Sequence, residues 1–315
     1  MTLRRAVLAL LALCSLRVDA EAPAAPAPAP QPPAAIAPFL WEVQGPLARH
    51  YLLGSVHVLP PESRPLPAAL DAAYANTQGL VVETDLAALA SPEIQNRMLA
   101  AAREDRKGGL KARVGKKLFG KLQARAGALG MPTPVCAELR AWFCALALEL
   151  YPLQQAQFSM EYGVDHEYFT RARDDGRPVA ALETPAFQIE LFAQMPEALA
   201  KDMLAATLDE KTYESQTPQE LYRMWRSGDL PLLARVVEEM RRDYPKLYAR
   251  ILAERSRAWV TPLEDYFRQD VPVLVIVGAA HLPGPDGLLA LMKARGFELQ
   301  PVTAVVETAP AVSPE

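Results

Sequence analysis

The chain carries one frame twice, Leu53-Gly54-Ser55-Val56-His57 and Val277-Gly278-Ala279-Ala280-His281, each time directly after a short apolar run. The runs, Tyr51-Leu52-Leu53 and Val273-Leu274-Val275-Ile276-Val277, are aliphatic or β-branched and bounded by punctuating residues, which is the pattern of buried strands. A Gly-x-x-His placed after such a strand sets the imidazole just past its carboxyl end. In open α/β sheets that edge is where ligands and reacting groups gather, and glycine there permits a tight turn and close backbone approach.

Two carboxylates extend the pattern. The run Gly79-Leu80-Val81-Val82 ends in Glu83, and Pro178-Val179-Ala180-Ala181-Leu182 ends in Glu183. Four apolar runs, all with the look of buried strands, thus terminate in His57, Glu83, Glu183 and His281, and a parallel sheet gathers such ends on one edge. Imidazole and carboxylate donors without a thiolate suit a first-row divalent ion such as zinc, manganese or iron. The competing reading is that strand-end acids cap the next helix, since Asp85 and Thr184, one residue or two further on, have the chemistry of N-caps. The chain has only four histidines. His50 opens a strand and reads as a core residue, and His166 lies in Asp165-His166-Glu167, a charged helical stretch that reads as a solvated face.

The first twenty residues have the form of a secretory signal peptide: Arg4 and Arg5, an apolar core, then Val18-Asp19-Ala20 with small residues at −3 and −1 of a cut after Ala20. The expected location is periplasmic or secreted. Leu13 precedes Cys14 where a lipoprotein signal needs a small residue, so no lipid anchor is expected, and no later run reaches membrane-spanning length. Residues 21–38 are almost wholly alanine and proline and read as an extended spacer. Residues 39–308 then form one α/β domain, and 309–315 a frayed tail. A net charge of −4 gives no electrostatic footprint for nucleic acid. Cys136 and Cys144, if both on the helix read over 137–150, would stand about 12 Å apart, too far to bridge; two buried free thiols without a metal role are expected.

Residues 154–267 are mainly helical in period, broken at Ser227-Gly228-Asp229 and Asp243-Tyr244-Pro245, with Met224, Trp225, Tyr248 and Trp259 at core-facing spacings. At the C-terminus, a turn at 283–287, a helix over 288–295 and a strand over 297–305 complete a βαβ unit with the strand before His281, which predicts a parallel pair.

Taken together and in order, Tyr51 to His57, Val81-Val82-Glu83, Gly163-Val164-Asp165, Leu182-Glu183-Thr184 with Gln188, Glu254-Arg255, and Val277 to Leu282 with Gly284 and Gly287 resemble the TraB/PrgY/GumN family, which includes the Tiki proteases. The resemblance implies an α/β fold related to the erythromycin-esterase and ChaN-like proteins. From the Tiki branch it implies a metal-dependent peptidase that uses both Gly-x-x-His histidines and a glutamate. By position these are His57, His281 and Glu83, with Glu183 and Arg255 in support. Ser256 stands where the family commonly has asparagine.

The expectation is therefore an exported metallohydrolase acting on a peptide or protein. A manganese, cobalt or zinc ion is held by His57, His281 and Glu183, with Glu83 as general base or further ligand and Arg255 set to neutralise an oxyanion or substrate carboxylate. Two alternatives stand beside it: a metal-free, esterase-like hydrolase, and a non-catalytic protein that sequesters peptides. No Gly-x-Ser-x-Gly elbow is present to support a serine nucleophile.

Overall fold

The structure, a computed structural model, describes residues 39–132, 136–209 and 217–302. The expected signal peptide, the alanine/proline spacer, the C-terminal tail and the far end of the last expected strand lie outside the described residues. Six strands, β1 (Leu40–Gln44), β2 (Arg49–Ser55), β3 (Gly79–Thr84), β4 (Val179–Glu183), β5 (Val273–Gly278) and β6 (Glu298–Pro301), form one mixed sheet in the order β4-β3-β5-β2-β1-β6. Helices make up most of the remaining chain, so the fold is mixed α/β.

The four strands that precede the candidate residues are mutually parallel. Their registers align Ser55 with Gly278 and Thr84 with Glu183, so their carboxyl ends form one rim. β5 lies between β2 and β3, and every one of its residues is buried. β1 is antiparallel to β2 because the two are joined by a tight turn, closed by the Gly45 N–H donating to the Ala48 carbonyl at 3.0 Å.

Two expectations are corrected here. The last strand does not pair with β5: β6 pairs antiparallel with β1, since both edges of β5 are already taken by β2 and β3. β4 is half-buried rather than buried, because it has only one neighbour and lies at the sheet edge. The helix before β6, Leu288–Ala294, lies where it was expected.

One large apolar cluster runs from Phe39 to Leu299 and takes in Met224, Trp225, Tyr248 and Trp259. A second, separate cluster contains Val58, Leu150, Leu153 and Phe158. Helix punctuation follows the sequence: Gly228, at φ 62°, ends Pro218–Ser227, and the Asp229 carboxylate accepts from the Leu232 N–H at 2.9 Å to start Leu230–Asp243. Cys136 and Cys144 are both free and buried. Only Cys144 lies on the helix, Ala141–Gln155, and Cys136 precedes it.

Candidate active site

The caps settle which acids serve the helices. Asp85 accepts from the Ala87 and Ala88 N–H groups at 2.9 and 3.0 Å, and Thr184 Oγ1 accepts from the Phe187 N–H at 3.1 Å. Glu83 and Glu183, relieved of that task, turn inward, and with His281 they meet around the guanidinium of Arg255, while His57 lines the same inner space as Glu83.

Arg255 lies near the start of the helix Glu254–Phe267. A π-helical turn at Ala249–Ala253 precedes it, and the Ile251 carbonyl within that turn accepts from Arg255 Nη1 at 3.3 Å. Nε donates to Glu183 Oε1 at 2.9 Å, and Nη2 donates to Glu183 Oε2 at 2.8 Å and to Glu83 Oε2 at 2.6 Å. Nη1 also donates to His281 Nε2 at 3.2 Å. A guanidinium has five N–H donors, and all five are engaged within the protein. The expectation that Arg255 meets a substrate oxyanion or carboxylate is corrected on that count, and the side chain is buried. It holds the carboxylates in place.

Glu183 is likewise saturated. Besides Arg255, Trp259 Nε1 donates to its Oε1 at 3.0 Å and Gln188 Nε2 to its Oε2 at 3.2 Å. Its expected role as a metal ligand gives way to that of an anchor for Arg255. Glu83 takes the Gly278 N–H on Oε1 at 2.6 Å and Arg255 on Oε2. Burial would raise its pKa, but the charges of Arg255, His281 and His57 and the Gly278 hydrogen bond outweigh that and hold it at about 2.

The two histidines differ. Arginine can only donate, so His281 Nε2 is an acceptor, and the ring proton sits on Nδ1, facing Ser256 Oγ at 2.8 Å. Burial first, then the Arg255 charge, lowers its pKa to about 3 and keeps the ring neutral. The Trp259 ring packs on it, centroids 4.4 Å apart. Serine thus makes a polar contact from the position where asparagine is common. His57 instead places Nδ1 2.8 Å from Asp165 Oδ2. Burial alone would lower its pKa; the charge and hydrogen bond of Asp165, with Glu83 adding to them, raise it to about 9.

Asp165, Trp259, Ser256 and Gln188 complete the site and were not singled out from the residues alone. Asp165 corrects the solvated-face reading of Asp165-His166-Glu167, since it is buried against His57. Its contact spans 108 residues of sequence, so no local pattern reveals it. Arg255, Ser256 and Trp259 share one helix face through their i, i+1 and i+4 spacing, a signal that was present. Two glycines are sterically required. A Cβ on Gly54 would come within 3.1 Å of the Ala279 backbone in the second histidine loop, and one on Gly163 would overlap the His57 carbonyl. His50 is a core residue, its Nδ1 accepting from the Val273 N–H at 3.3 Å.

As arranged, these residues do not fit a divalent ion. The nitrogen and oxygen donors are of the right kind, but both nitrogens of His281 and both oxygens of Glu183 are spent within the protein, and the guanidinium occupies the centre of the acids. Of the four strand-end residues only His57, through Nε2, and Glu83 keep acceptor or donor capacity, short of the three protein ligands of a catalytic site.

That capacity opens on an inner cavity of about 10 Å³, lined by His57, Glu83, Ser55, Thr84, Asp165 and Gln188, with Leu86 and Met160 among its apolar walls. The space suits roughly one water molecule. Four buried polar atoms without a protein partner, Ser55 Oγ, Thr84 Oγ1, Asp165 Oδ1 and Gln188 Oε1, belong to its lining.

Comparisons with known proteins agree with this arrangement of motifs. The chain is 26% identical over 254 residues to "Uncharacterized protein YbaP" of Escherichia coli K12, a match that covers 78% of this chain and 88% of the relative. The YbaP protein of Shigella flexneri matches to the same extent. No solved structure matches significantly. The profile of the TraB/PrgY/gumN family matches residues 39–301, and the chain belongs to that family.

Proposed function

We propose that the protein is a hydrolase that cleaves an acyl bond, in a peptide or an ester, with a water molecule held between His57 and Glu83. The observation that carries this reading is the inner cavity: water-sized, lined by one acid and one imidazole of widely separated pKa, and ringed by orphaned polar atoms.

At neutral pH His57 is an imidazolium tied through Nδ1 to Asp165, which leaves its Nε2–H as a general acid. Glu83 is a carboxylate that orients the water. As the water attacks the carbonyl carbon, its proton passes to Glu83, and the carbonyl oxygen takes up charge that the free hydroxyls of Ser55 and Thr84 are placed to receive. Collapse breaks the acyl bond while the leaving group takes the Nε2 proton of His57. The proton on Glu83 then returns to His57, a downhill step between groups at about 2 and about 9. Arg255 and His281 are positioning residues in this scheme.

A second reading keeps the divalent ion. His281 Nε2 is 4.0 Å from Glu83 Oε1, so withdrawal of Arg255 would let His57, Glu83 and His281 converge on one ion. Turnover of a panel of nitrophenyl esters and capped peptides, with chelator and with added manganese, cobalt or zinc, separates the two. The proposed mechanism predicts activity that survives chelation and falls by about 10²–10⁴ in His57→Ala and Glu83→Gln. Activity that requires added metal sinks it in favour of the second reading, and no turnover in the folded wild type leaves peptide sequestration. We place this activity after export, on the form of residues 1–20; a reporter fused after residue 38 and found in the cytoplasm would refute that.

A further inference from the structure

Against the inner cavity lies a much larger one of about 740 Å³, within the range of pockets that bury a small organic ligand. The two share Leu86 and Met160 as common wall. The lining of the outer cavity includes Val58, Leu150, Leu153 and Phe158, which are the four buried members of the second apolar cluster. That cluster is separate from the main core. These side chains therefore surround the cavity instead of filling the space between sheet and helices, and Val58 directly follows His57.

The helix Val164–Asp174 joins the two spaces. Its first turn carries Asp165 against His57, and further along it presents His166, Phe169, Thr170 and Arg173 to the outer cavity. The polar side chains of the outer cavity, among them Gln154, His166 and Arg173, can bond the polar atoms of a ligand whose apolar part lies against the cluster.

We propose that the outer cavity is the subsite for an apolar acyl group, which delivers its carbonyl past Leu86 and Met160 to His57 and Glu83. The proposal rests on the hydrolase reading but is tested by binding alone. The acyl group has two sources with one chemistry: the hydrocarbon chain of an ester, or an apolar residue on the acyl side of a peptide bond. The corresponding product acids serve as probes.

The experiment is calorimetric titration of acetate, hexanoate, decanoate and N-acetyl-phenylalanine into the full chain and into Leu153→Trp, Ala87→Phe and His57→Ala. Burial of each methylene favours binding by about four-fold, so affinity should rise from acetate to decanoate by far more than ten-fold. Leu153→Trp, which fills the cavity, and Ala87→Phe, at its exposed rim and therefore harmless to folding, should each weaken the apolar acids by about ten-fold or more. His57→Ala should change the affinity of all the acids by a similar factor and leave the gain per methylene unaltered, because each carboxylate lies at the reacting pair while the apolar contacts lie outside it. Tight binding of decanoate alone identifies the ester source, and of N-acetyl-phenylalanine alone the peptide source; either supports the proposal. No gain over acetate for either decanoate or N-acetyl-phenylalanine, or affinity unchanged in both cavity variants, overturns it. Unimpaired ester turnover by His57→Ala would sink the hydrolase reading without touching these affinities.

Discussion

His57 and His281 end the same frame on adjacent strands of one sheet, yet one ring meets a carboxylate and the other a guanidinium. Around His57 the partner comes from the helix Val164–Asp174 and raises its pKa to about 9; around His281 it comes from Glu254–Phe267 and, with burial, lowers it to about 3. The frame determines where an imidazole stands. The helix packed over it determines what the imidazole can do, so in the proposed mechanism two copies of one motif serve as an acid and a strut.

The largest test of that contrast is the loss of Arg255. In Arg255→Ala, Glu83 and Glu183 are left buried without their counter-charge, and a stability loss on the order of 3–5 kcal/mol is expected by denaturant unfolding. Asp165→Asn should leave the fold intact but return His57 to an ordinary or lower pKa and cut turnover by about 10²–10⁴. Turnover unaffected by Asp165→Asn would remove His57 from the mechanism.

The four strand-end residues were legible because each follows a recognisable apolar run and a parallel sheet must gather such ends. Their roles were not. Whether Glu183 binds a cation from solution or a guanidinium of its own chain depends on where Arg255 lies, 72 residues away, and on Trp259 and Gln188 filling its remaining acceptor sites. The parallel order of β2, β5, β3 and β4 followed from strand type, whereas the place of β6 depended on which edges were already filled. Asp165 was hidden for a similar reason: on a charged helical turn, inward and outward acids look alike until the His57 loop packs against it.

The pKa contrast also gives stability two opposing limbs. His57, raised from 6.5 to about 9, contributes fully below pH 6.5 and loses that contribution as pH rises through about 9. His281, lowered from 6.5 to about 3, makes the fold less stable as pH falls through that window, with His50 lowered in the same sense, and Glu83 adds a loss between 4.5 and about 2. Stability should peak near pH 6.5, with the alkaline limb on the order of 3 kcal/mol. His57→Ala should flatten the alkaline limb alone, and His281→Ala should weaken the acid limb. The smallest effect belongs to Ser256→Ala, which removes one buried hydrogen bond and should cost about 1 kcal/mol with turnover nearly intact.

The most direct test is an NMR titration of histidine side chains in the chelator-treated wild type, with each ring assigned from its alanine variant. The account predicts that His57 titrates near pH 9, and that His281 stays neutral, with its proton on Nδ1, down to about pH 3. Two rings that titrate together near pH 6.5, or a His281 that is the more basic of the two, would contradict it.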